Sequence, residues 1–435
     1  MMKKLTLLMC FFALPLQAQT EMTAEEAIRT GLENNYSVRI ARNQATIAHN
    51  SSGLGTAALL PTLGIDGGTG LSRSDQETNS PFSFGSSDTR SLDATIALNW
   101  TLFDGMSMFA EKKRYDELAR MGTVQARSII ETTVVEILRA YFDLVQQQML
   151  LDVAMSARDI SQTRFDKERV RNELGGASST DLLNAQVALN NDQANVLDQQ
   201  LRVEIAQQVL NILLARDPAT SFAVKEEITI PPLDLPLEQL LQLALENNSA
   251  YRAAQHDANI AQQNIRLARA GFLPRLALNA SYGYSDRTTS SDSPNFAEDI
   301  NSTSKDASVR LNLSLNLFNG FRNRIDVQNA RLAAENSVLV LKDARNALSA
   351  QVREQHLTLE KRLALVALEE QNVQAAQQNL ALQQDRYEIG ATSSIEFRDA
   401  QVNLIRAESA LIAARFQARL SRIAIDRLTG RLEIE

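Results

Sequence analysis

The chain has 435 residues, with 44 Lys and Arg against 52 Asp and Glu, a formal net charge of −8. That acidic balance argues against nucleic acid as a partner. Only 5% of residues are aromatic, prolines are few, and none falls between Pro81 and Pro218, which fits long helices better than a compact multi-domain enzyme.

In chain order, Lys3 and Lys4 precede an apolar run from Leu5 to Leu16, and Gln17-Ala18 supplies a small residue before Gln19. Residues 1–18 are therefore expected to be a secretory signal peptide, too short to span a bilayer as a helix. Cys10, the one cysteine, lies inside it, with Met9 before it where a lipid anchor would need a small residue. The mature chain is expected to have no thiol chemistry. No later stretch reaches 18 consecutive apolar residues, so any membrane crossing has to be made by β-strands.

A capping box of Thr23 and Glu26 opens a helix predicted to run to about Leu60, where Pro61 stops it. Two strands are predicted over about 62–74 and 91–103, with a polar loop between. In the second, Ala94, Ile96, Leu98, Trp100 and Leu102 share one face, with Thr95, Asn99 and Thr101 opposite. A long helix follows from Ser107 to Asn172, roughly 65 residues or about 100 Å at helical rise. A Gly/Ser break over 175–179 precedes another helix, in which Leu183, Val187, Ala194, Leu197, Leu201, Ile205, Val209 and Ile212 form a seam at threes and fours.

All of this is then written again. Leu32-Glu33-Asn34-Asn35 recurs as Leu245-Glu246-Asn247-Asn248, and Pro61 as Pro274, both 213 positions on. Leu102-Phe103-Asp104-Gly105 recurs as Leu317-Phe318-Asn319-Gly320, and Ala185-Gln186 as Ala400-Gln401, both 215 on. The chain reads as a tandem duplication: first repeat 19–216, a Pro-rich linker 217–236, second repeat 237–430 and a tail 431–435. The second copy predicts a helix from Leu237 to Phe272, strands over about 275–286 and 307–318, and a helical hairpin with its tip at 390–394. Val309, Leu311, Leu313, Leu315 and Leu317 share a face of its last strand. Alternation of this kind suits a wall with lipid on one side and water on the other. Four strands cannot close a barrel, so the chain must oligomerise; two copies give eight strands and three give twelve.

The signal peptide, the duplicated Leu-Glu-Asn-Asn helix and Leu-Phe-[Asp/Asn]-Gly after a strand resemble the TolC family of outer-membrane channels. So does the Arg-x-x-x-Gly-x-x-Ser-x-x-[Asp/Glu]-x-x-x-Ala-Gln break, found in both halves. The resemblance implies a mainly α fold with a small β part. A homotrimer would build a 12-stranded outer-membrane β-barrel continuous with a long periplasmic α-helical barrel. It implies a passive conduit for a tripartite efflux pump or a type I secretion system, working with a periplasmic adaptor (membrane fusion protein) and an inner-membrane RND or ABC pump.

By the same resemblance the turns at Gly175 and Gly390 form the periplasmic mouth. Thr180 and Asp181 fall where a mouth-restraining pair sits, and Tyr387 where a tyrosine contacts that pair. Thr392 stands where some members carry a restraining arginine, leaving Arg386 and Arg398 as two possible substitutes. Glu396 and Asp399 match acidic residues lining the constriction. At i, i+3 they share a helix face, though charges in a first helical turn also simply stabilise the helix. Asp181 and Asn184 are the equivalents in the first half.

His49, His256 and His356 are scattered, with no metal or triad spacing, and Gly53-Leu54-Gly55 follows a helix rather than a strand. No cofactor and no enzymatic activity are expected. The rival readings are a structural or adhesive trimeric coiled-coil stalk at the cell surface, which predicts a single coiled coil and one anchor, and a periplasmic adaptor, which predicts one hairpin and extra β-domains.

Overall fold

A computed structural model describes residues 21–76, 86–175, 178–224, 227–291 and 299–432. The expected signal peptide with Cys10, most of the two inter-strand loops, residues 176–177 of the first tip and residues 433–435 lie outside the described residues. The elements run α1 (Ala24–Asn34), α2 (Tyr36–Asn50), β1 (Thr62–Asp75), β2 (Ser86–Asp104), α3 (Ser107–Glu173) and α4 (Ser179–Leu213). They continue as α5 (Leu237–Asn247), α6 (Ser249–Ala270), β3 (Arg275–Ser291), β4 (Ile300–Ser314), α7 (Arg322–Glu388) and α8 (Ser394–Leu428). The second six repeat the first six in kind and order, and α3 and α7 have 67 residues each.

The capping box is present: the Glu26 N–H donates to Thr23 Oγ1 at 3.2 Å and the Thr23 N–H to Glu26 Oε2 at 3.3 Å. The single first helix expected in each half is instead two. Asn35 leaves the helical region at ψ 128°, its N–H donating to the Gly31 carbonyl at 2.9 Å to close α1. Its Oδ1 then accepts from the N–H groups of Ser37 (2.8 Å) and Val38 (3.3 Å), opening α2. Its Nδ2 donates to the carbonyl of Leu213, the last residue of α4, at 2.7 Å. Asn248 repeats the break at ψ 121°, and its Nδ2 reaches the carbonyl of Leu428, the last residue of α8, at 3.3 Å. The duplicated Leu-Glu-Asn-Asn therefore ends in a side chain that breaks one helix and satisfies the end of another. Leu-Phe-[Asp/Asn]-Gly has a similar logic: Asp104 accepts from the Met108 N–H at 3.0 Å and from the Ser107 hydroxyl, capping α3.

The chain divides into two compact units, one of them formed by residues 21–41, 127–248 and 347–432. Its core packs Ile137, Tyr141, Phe142 and Leu144 of α3 against Leu210 and Leu214 and against Phe416 and Ile423 of α8. Leu189, Asp192 and Val196 lie on the buried side of α4. The sequence seam is the other side: Leu183, Val187, Leu197, Leu201 and Ile212 are all more than half exposed. The helix has two apolar seams, and period alone does not say which one its own chain covers. In α8 the alanines Ala400, Ala414 and Ala418 are buried.

The other unit, residues 42–126 and 249–346, holds one antiparallel sheet ordered β1-β2-β3-β4. Cross-strand pairing puts Leu63, Leu98, Ala280 and Val309 in one row, Ile65, Ile96, Tyr282 and Ala307 in the next, and Trp100, Leu278 and Leu311 in a third. The interleaved rows carry Thr95, Ala97 and Asn99 with Asn279, Ser281, Arg310 and Asn312. The apolar face is bare within the chain: Leu63 is 70% exposed, Ile65 77% and Val309 78%. Two expectations change here. A bulge between Thr101 and Phe103 brings Phe103, not Leu102, opposite Leu276, so the apolar row passes to Phe103. The last strand spans Ile300–Ser314 rather than about 307–318, because Ser314 pairs with Arg275, where β3 begins, and leaves Leu315 and Leu317 no strand to bond.

Asn35→Ala should strip protection from the Ser37 and Val38 amides in hydrogen exchange and weaken this joint by about 2 kcal/mol, the sum of a lost cap and an orphaned carbonyl. Asn34→Ala, next door but exposed, should leave both amides unchanged.

Candidate functional site

The two helical hairpins of the first unit end in matched turns. Gly175 (φ 75°) and Gly390 (φ 76°) each take the left-handed conformation after a 67-residue helix. A side chain there would meet nothing within 4 Å, so the requirement is for backbone conformation and not for space. The Ala391 N–H closes the second turn on the Arg386 carbonyl at 2.7 Å. Ser178 caps α4 by accepting from the Thr180 N–H at 3.1 Å, and Ser393 caps α8 by accepting from the Glu396 N–H at 3.2 Å.

Glu396 completes that box, taking the Ser393 N–H at 3.1 Å and the Thr392 hydroxyl. Those donors, the Thr392 hydroxyl above all, lower its pKa and keep it ionised. The Thr392 hydroxyl also lies 3.1 Å from Gln383 Oε1, so within the chain it braces its own turn. Asp399 is exposed. Thr180 is exposed and Asp181 half-buried in the first turn of α4.

Tyr387 is not held by Thr180 or Asp181 within the chain. It is 4% exposed, stacks on Phe397 (5.1 Å between centroids, 7° between planes), and donates its hydroxyl to Glu168 of α3. The Lys167 ammonium lies over its ring at 4.6 Å. Burial, and then the Glu168 carboxylate that needs the hydroxyl as donor, push its pKa up to about 12.

Of the two candidate arginines, Arg386 is exposed, whereas Arg398 makes a fork on buried Asp192 at 2.6 and 2.9 Å. Asp192 is 3% exposed, Ser161 0% and Gln401 1%. The Ser161 hydroxyl donates to Asp192; Arg398 also reaches Ser161 Oγ at 3.1 Å and Gln401 Oε1 at 3.0 Å. Gln401 Nε2 returns to the Ala157 carbonyl at 2.8 Å. A third arginine, Arg164, is buried and donates to the Ser394 carbonyl at 3.4 Å; burial and then the nearby Arg398 charge lower its pKa. One polar joint thus binds α3 and α4 to α7 and α8. Sequence reasoning reached Arg398 and Tyr387 but missed Asp192, Ser161 and Glu168. An aspartate at the buried spacing 185, 189, 192, 196 is the available signal, masked by the more apolar exposed seam of the same helix. The glutamine of the repeated Ala-Gln marked the place without its role.

An amphipathic four-stranded sheet and a duplicated pair of helical hairpins define an outer-membrane channel subunit. The family model described as outer membrane efflux protein matches residues 27–216 and 240–431, and the chain belongs to that family. It is 24% identical over 376 residues to the outer membrane protein TolC of Salmonella enteritidis, covering 86% of this chain and 75% of that one. It is 26% identical over 405 residues to the alkaline protease secretion protein AprF of Pseudomonas aeruginosa, covering 90% and 82%. Its fold matches the CmeC outer membrane channel of Campylobacter jejuni at a TM-score of 0.78 and 15% identity, over 99% of this chain and 94% of that one.

In an absorbance titration one tyrosine should stay protonated to about pH 12, and Tyr387→Phe should abolish that late step. Because folding raises this pKa, the Tyr387 hydroxyl adds stability fully below about pH 10, the ordinary tyrosine value. That contribution fades as pH climbs toward about 12. The gap in stability between wild type and Tyr387→Phe should close over the same window. Arg398→Ala should loosen the joint by about 3–5 kcal/mol, since it leaves a buried carboxylate alone, and Arg398→Lys should rescue little because one ammonium cannot make the fork. Hydrogen exchange along the first turns of α8 reads both.

Proposed function

We propose that three copies of this chain close a 12-stranded barrel in the outer membrane and conduct substrates outward from an inner-membrane RND or ABC pump, received through a periplasmic adaptor. The bare apolar face of the four-stranded sheet carries this reading. On β3 the apolar band runs nine residues, from Leu276 to Tyr284, a hydrocarbon thickness for a tilted strand, which takes about 9–11. Trp100 and Phe103 stand at one end of the band, and Tyr282 and Tyr284, with Lys305 opposite Tyr284, at the other. Aromatic residues at both interfaces suit a lipid-facing wall. β1 and β4 keep one free edge each, and since neighbours alternate in direction, β4 of one copy meets β1 of the next antiparallel. The exposed seam of α4 gives the copies a second surface on which to associate.

The polar joint supports a closed resting state in which Arg398, Asp192 and Tyr387 hold the hairpins together and opening costs these contacts. Thr180, Asp181, Thr392 and Arg386 lie at the same tip turns, where contacts between copies would add to the restraint. Glu396 and Asp399 would set six carboxylates around a threefold axis and favour cations. Cargo is chosen by the pump: AprF is named for protease secretion and TtgC of Pseudomonas putida, 24% identical, as a probable efflux pump protein. A surface stalk needs neither a duplicated strand pair nor a duplicated tip.

Purified protein should run as a trimer and form cation-selective pores in planar bilayers. Asp399→Asn should reduce that selectivity, and Glu396→Gln should reduce it while also fraying α8. Arg398→Ala should raise resting conductance several-fold. A monomer without conductance would overturn the channel reading, and unchanged selectivity when Glu396→Gln and Asp399→Asn are combined would remove the acidic ring.

A further inference from the structure

Where the sheet gives way to helix, the second unit carries a groove between the start of α3 and the end of α6. It is lined by Met106, Phe109 and Lys113 on one side and by Arg266, Arg269 and Leu273 on the other. Phe109 and Lys113 sit one turn apart on α3 and Arg266 and Arg269 one turn apart on α6, with Met106 and Leu273 in the turns just outside the two helices. The apolar members are open to solvent: Met106 is 56% exposed, Phe109 50% and Leu273 47%. Met106 follows Gly105 in a left-handed conformation (φ 70°), a posture an apolar side chain rarely takes. The three cations have no acidic partner among the described residues. The acids nearby in sequence are already engaged, Asp116 by Lys112, Glu111 by Arg114, and Glu117 by Arg120 and His256. Arg266 reaches only Gln263 of its own helix, at 3.3 Å.

The duplication provides an internal control. At the positions matching Met106, Phe109 and Lys113 the second half has Phe321, Arg324 and Gln328, and at those matching Arg266 and Arg269 the first half has Gly53 and Thr56. The same turn from strand to helix is thus built without this cationic set, so the fold does not require it. The groove also has a fixed address. Asp104 and Arg275 are the last pair of the β2–β3 ladder, and groove residues begin one position on at Gly105 and two before at Leu273. It therefore opens at the edge of the apolar band, which on the outer-membrane reading lies at headgroup depth.

We propose that this groove binds an anionic phospholipid of the adjoining leaflet, its phosphate held by Lys113, Arg266 and Arg269 and its first acyl carbons lying on Met106, Phe109 and Leu273. Long cationic side chains beside apolar surface at an interface are suited to this. The proposal rests on the outer-membrane reading and adds a lipid preference to it. Fixing a lipid at this turn would seat the strand-to-helix junction at one depth, which a nonspecific hydrophobic band does not do.

The test uses the full chain, purified as its native oligomer in detergent and titrated with phosphatidylglycerol, phosphatidylcholine and inorganic phosphate. Native mass spectrometry counts bound lipid and a thermal melt reads the shift. Phosphatidylglycerol should bind and raise the melting temperature, with neither phosphatidylcholine nor phosphate matching it. Lys113→Gln/Arg266→Gln/Arg269→Gln should lose affinity about a hundredfold, from three surface charges removed. Phe109→Ser should weaken lipid while leaving short-chain glycerol phosphate binding unchanged. Bilayer conductance of the same variants separates the two readings: a conducting channel whose triple variant binds phosphatidylglycerol as wild type does would overturn the groove alone. Equal binding of both lipids, or full competition by phosphate, would overturn it too.

Discussion

A backbone amide left unpaired in hydrocarbon costs several kcal/mol, and this chain carries two whole strand edges that it cannot pair. Every larger feature answers to that constraint. The sheet alternates because one face meets lipid and the other water. The strands pair in simple sequence order, β1-β2-β3-β4, so that the two halves join through β2 and β3 and leave one free edge at each end. The helices have a matching asymmetry: α8 is covered by its own chain, while α4 keeps a second seam outward. A single copy is an unfinished surface by construction.

Within the chain, cohesion comes from apolar packing and from a small number of buried polar joints with demanding geometry. Asn35 and Asn248 hold paired helix ends, and Arg398 with Asp192 holds the hairpins near the tips. Such joints contribute direction more than net energy, because a buried charge pair barely offsets its own desolvation. They are stable as a set and costly to leave half made.

Much of this was legible in the sequence. Strand alternation, the repeat and the glycine turns are local signals, and each follows from side-chain period or backbone conformation. What was hidden involved partners distant in the chain. Asn35 reads as an ordinary helix residue until Leu213 supplies a carbonyl for it. The bulge that hands the apolar row from Leu102 to Phe103 has no local mark. Within the chain Tyr387 meets Glu168, an acid three residues before Arg171 on a helix with many charges, and no local pattern marks that pairing. The bond of Thr392 to Glu396 depends on the geometry of the tip turn, which its sequence position alone does not show.

The free edges of β1 and β4 have different sequences. A union that pairs every edge through β4 of one copy and β1 of the next therefore joins unlike faces, head to tail. An association of that kind ends only if its rotation closes; otherwise it grows without limit as a filament. The small turn between successive strands thus acts as a counting device. A bulge such as that at Leu102, which sets local twist, helps to decide whether the copies finish as a ring or continue as a fibre.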